Sequence, residues 1–313
     1  MTSPFHQIIK EQGLVILDGA LATELEARGA NLNHALWSAK LLAENPALIQ
    51  KVHEHYLQVG ANVISTASYQ ASFLGFEKQG YTKQEAIHFL QNSVQLAIDA
   101  RDQYVKQFTN PLSIKPLVAA SIGPYGAALA DGSEYTGYKN VSVKTLMEFH
   151  EERLVVLSNT QADILAFETI PCIEEALAIK ELLKLHPQKQ AWISFSCKDG
   201  SHLSSGELFE DAIKLLEDAD QIIGVGVNCT PPACILSLIQ IAKPITSKVI
   251  LVYPNKGETY NAIDKVWEHV DGCKLTFFEN ATMWLEAGAK AIGGCCRTSP
   301  ADIKQLSELI VKA

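Results

Sequence analysis

Short apolar runs rich in β-branched residues recur eight times along the chain, at residues 14–18, 62–66, 117–121, 164–168, 192–196, 222–229, 249–253 and 291–295. Each is followed by a turn or loop and then by a stretch with helical periodicity. The helical patterns cover 36–59, 83–104, 143–159, 173–185, 208–216, 233–241 and 275–287. Within the first of these, Asn45-Pro46 is a start signal and Gly60 a stop. A last helix opens at Ser299-Pro300-Ala301-Asp302, with a serine N-cap, a first-turn proline and an acid at N3. Strand and helix alternate without a linker or low-complexity tract. The pattern predicts an α/β fold, one (β/α)8 TIM barrel over residues 1–313. A doubly wound open sheet is the rival reading.

Polar and small reactive residues gather where the apolar runs finish: Asp18-Gly19, Ser65-Thr66, Glu168-Thr169, Asn228-Cys229, Tyr253 with Asn255, and Cys295-Cys296. In a parallel barrel all these ends lie on one face, where barrel enzymes carry their chemistry. Adjacent cysteines are poorly placed to bridge each other. Both thiolates can nevertheless turn toward one soft cation, and Cys229 can converge on them at the barrel mouth. Cys229, Cys295 and Cys296 are therefore expected to bind one zinc ion. The alternatives are three unconnected core thiols and, for Gly293-Gly294, a phosphate cradle. Cys172, Cys197, Cys234 and Cys273 read as bystanders, and His53 and His55 do not share a helix face. Two connections, 68–80 and 123–140, are long, the second rich in glycine and tyrosine, as lids or binding loops are.

Composition narrows the class. A formal charge of −9 argues against nucleic acid and anionic membrane as partners. Residues 1–6 show no signal-peptide pattern, and no apolar run is long enough to span a bilayer. Seven unevenly spaced cysteines, an odd count, suit a reducing compartment with free or metal-bound thiols, so a cytoplasmic protein is expected.

With these residues in hand, the chain resembles the homocysteine S-methyltransferase family over essentially its whole length. The resemblance is carried by Leu17-Asp18-Gly19-Ala20, the segment from Thr66 to Gln70, Gly123-Pro124-Tyr125-Gly126, Phe167-Glu168-Thr169, Gly226-Val227-Asn228-Cys229 and Gly293-Gly294-Cys295-Cys296-Arg297. The stretches 22–29 and 129–135 look closest to the short members that use S-methylmethionine or S-adenosylmethionine. What the resemblance implies is a (β/α)8 barrel with Zn²⁺ held by three cysteines, and homocysteine as methyl acceptor. It also supports Asp18, Thr66 and Glu168 as homocysteine contacts.

The residue chemistry agrees with that implication. A thiol with a pKa of roughly 8.5 needs activation to act as a nucleophile at neutral pH. A three-thiolate zinc site with one open position provides it, with no protein nucleophile. Glu168 can accept from the substrate ammonium, helped by Asp18. The backbone of Asp18-Gly19-Ala20 and the Thr66 hydroxyl can meet the carboxylate. Folate use would need cobalamin and further modules, and betaine-using relatives are longer than this chain, so a sulfonium donor is expected. The 123–140 loop, with its tyrosines, Asp131 and Glu134, offers aromatic faces and carboxylates to such a cation. The other readings are a non-catalytic zinc- or thiol-binding barrel, a betaine-dependent enzyme, and a zinc hydrolase that lacks an obvious general base. No protein partner is evident.

Overall fold

The computed structural model describes residues 3–108, 114–261, 266–269 and 275–310. Its strands are β1 (Val15–Ile16), β2 (Val63–Ser65), β3 (Leu117–Ile122), β4 (Ile164–Ile170), β5 (Ala191–Phe195), β6 (Ile222–Asn228), β7 (Val249–Tyr253), β8 (Glu258–Asn261), β9 (Val266–His269) and β10 (Ala291–Ile292). Eight of them form one sheet in the order β1-β10-β7-β6-β5-β4-β3-β2, parallel at every pairing. The two edges meet through a parallel bridge between Leu17 and Val63 and a bond from Asp18 N to Val63 O of 3.0 Å. The sheet thus closes as a (β/α)8 barrel, and the open-sheet reading falls.

Period-two alternation sorts each strand into an inside and an outside. Val15, Leu17, Val63, Ala119, Ile164, Ala166, Trp192, Val249, Leu251 and Ala291 belong to one buried cluster, the barrel interior. Their neighbours Leu14, Ile16, Ile64, Val118, Ala120, Leu165, Phe167, Ile193 and Val252 belong to a second, packed against the surrounding helices. A helix not expected from the sequence, Pro4–Gln12, precedes β1 and sends Phe5 against the Trp192 ring (centroids 5.6 Å), near the start of β5. That end of the barrel is plugged, so the chemistry is confined to the strand C-termini.

Element boundaries shift for identifiable reasons. The 36–59 pattern divides into a 3₁₀ turn (Trp37–Lys40), a short helix (Leu41–Glu44) and the helix Pro46–Gln58. Asn45 breaks it at φ −154°, because a residue before proline is driven out of the helical region. The expected strand 291–295 ends at Ile292, although Gly293 N and Gly294 N still bond to Val252 O (3.1 Å) and Asp18 O (3.0 Å). The connection after β7 is also long, and contains the antiparallel hairpin β8–β9. Among the described residues, no helix is long and apolar enough to cross a membrane.

Candidate metal centre and active site

Cys229, Cys295 and Cys296 meet at the mouth of the barrel, with all three sulfurs within 4.8 Å of one another. The Sγ–Sγ separations are 2.7 Å (Cys229–Cys295), 3.8 Å (Cys229–Cys296) and 4.0 Å (Cys295–Cys296). A tetrahedron with Zn–S bonds of about 2.3 Å has edges of about 3.8 Å. Two separations match it, and the third must open by about 1 Å. Burial raises the cost of charging three neighbouring thiols together. Cys229 is held well below its ordinary value by hydrogen bonds from Cys295 and Cys296. The latter two are pushed well above theirs, foremost by the bond to Cys229. A bound cation is what lets three such thiolates coexist, so a trigonal all-sulfur donor set fits a soft divalent metal.

The backbone spends strain to build this cluster. Cys229 has φ +47° and Thr169 φ +61°, conformations that cost a side-chain-bearing residue on the order of 1–3 kcal/mol each. Asn228 holds both. Its Oδ1 accepts from Thr169 N (2.7 Å) and Ser194 Oγ (2.8 Å), while its Nδ2 donates to Thr169 Oγ1 (2.8 Å). The ends of β4, β5 and β6 are thereby locked to one another. Gly293 and Gly294 serve close packing: a Cβ on Gly293 would lie 2.5 Å from Leu17 Cβ, and one on Gly294 2.3 Å from Thr298 Oγ1. Their smallness brings the cysteine pair against the end of β1, which accounts for the glycines without a phosphate.

The expected substrate residues ring the same mouth. Asp18 is buried, its carboxylate accepting from Ser65 N (2.8 Å) and Ser65 Oγ (3.3 Å). Burial pushes its pKa well above the usual range, and the nearby Glu168 adds to this. Glu168 is pushed up to about 7, first by burial and then by Cys295, against hydrogen bonds from Ser121 and Tyr253. Tyr253 itself accepts from Trp192 Nε1 (3.0 Å) and bonds Ser194 Oγ. At Gly19 a Cβ would meet the Tyr56 ring and hydroxyl at 3.0 Å, so only glycine fits that turn. Thr66 is buried; its hydroxyl accepts from Ser121 N (3.0 Å) and shares a 2.6 Å bond with Ser68 Oγ, which in turn donates to Ser121 O.

The 123–140 loop closes over the sulfurs. It folds into the helix Tyr125–Leu129 and the 3₁₀ turn Ser133–Tyr135. Tyr135 OH donates to Cys229 Sγ at 3.8 Å, and Glu134 O accepts from Ser196 Oγ (2.8 Å) at the end of β5. Asp131 and Glu134, equivalent as sequence, part company. Asp131 is exposed and its carboxylate accepts from Ser133 N (3.0 Å). Glu134 turns inward, and burial pushes its carboxyl up to about 7. Tyr69, from the 68–80 connection, joins them; its buried hydroxyl feels Glu134, Cys229 and Cys295. Tyr69 and Asn228 were not singled out as site residues, although both lie in motif segments. Cys172, Cys197 and Cys234 stand outside the cluster; Cys273 lies outside the described residues.

A (β/α)8 barrel whose strand ends present three thiols, two buried carboxylates and a tyrosine-bearing lid defines a metal-ready transferase site. The sequence profile described as homocysteine S-methyltransferase matches residues 15–310. The chain is 48% identical to homocysteine S-methyltransferase YbgG of Bacillus subtilis, over 97% of each chain. It is 43% identical to the Escherichia coli homocysteine S-methyltransferase, again over 97% of each. A selenocysteine Se-methyltransferase of Brassica oleracea is 44% identical, over 97% of this chain and 91% of that one. The metallated form of homocysteine methyltransferase MmuM from Escherichia coli superposes with a TM-score of 0.88 at 41% identity, covering 98% of this chain and 100% of that one. The chain belongs to the homocysteine S-methyltransferase family and is a methyltransferase enzyme.

Proposed function

We propose that this chain works as one barrel domain, a zinc-dependent enzyme that moves a methyl group from a sulfonium donor, S-methylmethionine first and S-adenosylmethionine second, to homocysteine. The observation that carries the reading is the convergence of Cys229, Cys295 and Cys296 at a mouth that also holds Asp18 and Glu168. A metal store needs no amino-acid pocket. When bound by the three thiolates, Zn²⁺ supplies an open position at which a substrate thiol loses its proton.

The chain's own residues do the rest. Glu168 and Asp18 accept from the homocysteine ammonium, and their burial makes each charge worth more than it is in water. The turn at Gly19 presents backbone to the carboxylate. Thr66 joins in by turning to the carboxylate the hydroxyl proton that it otherwise donates to Ser68 Oγ. Tyr135 and the rest of the loop exclude water, since Tyr135 already reaches Cys229. The sulfur electron pair of homocysteine forms the new S–CH₃ bond. The donor C–S⁺ bond breaks with its pair staying on sulfur, leaving a neutral thioether, and the thiol proton passes to solvent. Support for the sulfonium comes from the inward Glu134 and from the likeness of 129–135 to the short family members.

The test is methionine formation by zinc-loaded protein from homocysteine and, separately, S-methylmethionine, S-adenosylmethionine and betaine. Turnover is expected with both sulfoniums, greater with S-methylmethionine, and none with betaine. Turnover with betaine alone overturns the donor, and turnover with no donor leaves the non-catalytic barrel. Selenocysteine, the acceptor in the Brassica relative's name, belongs in the same panel because a selenol is a more acidic analogue of the thiol.

A further inference from the structure

Buried acceptor oxygens without a donor are rare in folded proteins, and each asks for a partner. Among the described residues, three such oxygens lie on segments that reach the barrel mouth: Ser133 Oγ, Glu134 Oε2 and Asn255 Oδ1. Asn255 N bonds to Thr230 O (3.2 Å), next to Cys229, and Lys256 N to Cys296 O (3.1 Å), so Asn255 lies between the two cysteine-bearing segments. Glu134 is held by Ser196 through its carbonyl, and its carboxylate accepts from its own backbone N–H, which leaves Oε2 without a donor. Its neighbours on the inner side are Tyr135, whose hydroxyl reaches Cys229 Sγ, and Tyr69. A carboxylate with an unpartnered buried oxygen, beside two tyrosines that themselves face the sulfurs, matches what an onium cation needs: a counter-charge and aromatic surface in a dry place.

Two cations enter the proposed reaction, the homocysteine ammonium and the donor's onium centre. The ammonium has Asp18 and Glu168 at the ends of β1 and β4. Glu134 comes instead from the loop that covers the sulfurs, the side from which a donor must approach once homocysteine occupies the strand ends. We propose that Glu134 is the counter-charge for the onium centre of the methyl donor, a specificity-determining residue that distinguishes the charged donor from its neutral thioether product. The inference rests on the cationic-donor reading above. It also explains turnover chemically: methyl transfer removes the charge that Glu134 holds, so the spent donor is bound less tightly and leaves.

The experiment is steady-state kinetics of zinc-loaded Glu134→Gln and Glu134→Asp, varying S-methylmethionine at saturating homocysteine and then the reverse. Loss of a charge-assisted contact should raise the KM for S-methylmethionine roughly 10- to 100-fold in Glu134→Gln. The homocysteine KM should stay within about twofold, with zinc content unchanged. Glu134→Asp, which keeps the charge on a shorter arm, should fall between the two. Glu148→Gln removes the same charge from an exposed position outside the loop and should leave the donor KM within about twofold. An unchanged donor KM in Glu134→Gln, or a rise confined to homocysteine, overturns the inference. If the wild-type enzyme turns over betaine and not the sulfoniums, the donor reading has failed by itself, and the same comparison with betaine, also an onium, still decides the role of Glu134.

Discussion

Two buried polar clusters flank the 123–140 loop, and they differ in one respect that separates structure from function. Beneath the loop lies Glu175, fully buried, accepting from Tyr125 N (2.7 Å), His150 Nε2 (2.7 Å) and Tyr138 OH (2.6 Å). Arg153 approaches His150 Nδ1 at 3.0 Å and donates to Gly123 O (2.7 Å) and Ala71 O (3.4 Å). A guanidinium can only donate, so Nδ1 accepts and the proton sits on Nε2, facing Glu175. Burial lowers the pKa of His150, which keeps the ring neutral. Only Arg153 Nε lacks a partner, and the guanidinium stacks 4.7 Å from the Phe149 ring. This cluster is closed on itself and ties both long loops to the barrel. The cluster above it holds three thiols, three carboxyls raised by burial and unpartnered oxygens on Glu134 and Asn255. The closed cluster supports the loop; the open one is built for what binds.

The largest effect should come from the open cluster. Cys229→Ser and Cys296→Ser should each lose most of the bound zinc and more than about 100-fold in turnover, a larger loss than removing an outer-layer partner gives. Metal content per chain and methionine formation measure this. Stability of the metal-free protein should change little, because the barrel core does not contain the ion. Full zinc retention by the Cys229→Ala, Cys295→Ala double variant would refute the site.

The closed cluster should answer in the opposite way. Glu175→Ala strips the acceptor from three buried donors and leaves Arg153 without its counter-charge. A loss of about 3–5 kcal/mol of stability is expected, read from urea unfolding, with zinc stoichiometry preserved in the folded fraction. If Glu175→Ala were instead stable and metal-free, the two clusters would be one functional unit and the comparison would collapse.

The open cluster was largely legible in the sequence and the closed one was not, for a physical reason. Parallel strands buried on both faces read as continuous apolar runs, and their polar ends announce the active face. Cys295-Cys296 stands out because packing alone gives no reason for adjacent thiols. Glu175 gives no such signal: an acid in the first turn of the helix Ile173–Leu183 looks like ordinary dipole compensation. Its partners come from 25 to 50 residues away, so only the fold shows the hub. The left-handed backbone at Cys229 and the Asn228 bridge that holds it were invisible for the same reason. So was the split between Asp131 and Glu134, which depends on how the 3₁₀ turn aims its side chains. The β8–β9 hairpin was missed because its segment, Glu-Thr-Tyr-Asn, lacks an apolar run.

The smallest predicted effect sharpens the comparison through pH. Glu168 in the open cluster has its carboxyl pushed up to about 7, with burial the leading cause. In the unfolded chain the same group titrates near 4.3. Between these values the native state binds the extra proton, so stability must fall as pH rises through that window. Below it both states are protonated and the contribution is intact; above it the full cost of burying the charge is present. At about 1.4 kcal/mol per unit, the span bounds the cost at about 4 kcal/mol, and about 1–3 is expected once water reaches the barrel mouth. Metal-free wild-type protein should therefore lose this much relative to Glu168→Gln between about pH 4.5 and 7.5. Urea unfolding of both proteins across that range gives the difference directly. Asp18, raised by burial and further by Glu168, contributes in the same direction, and the part that comes from Glu168 adds to the difference. Parallel curves would mean that Glu168 is already compensated like Glu175, and that the mouth of the barrel holds no carboxylate waiting for a cation.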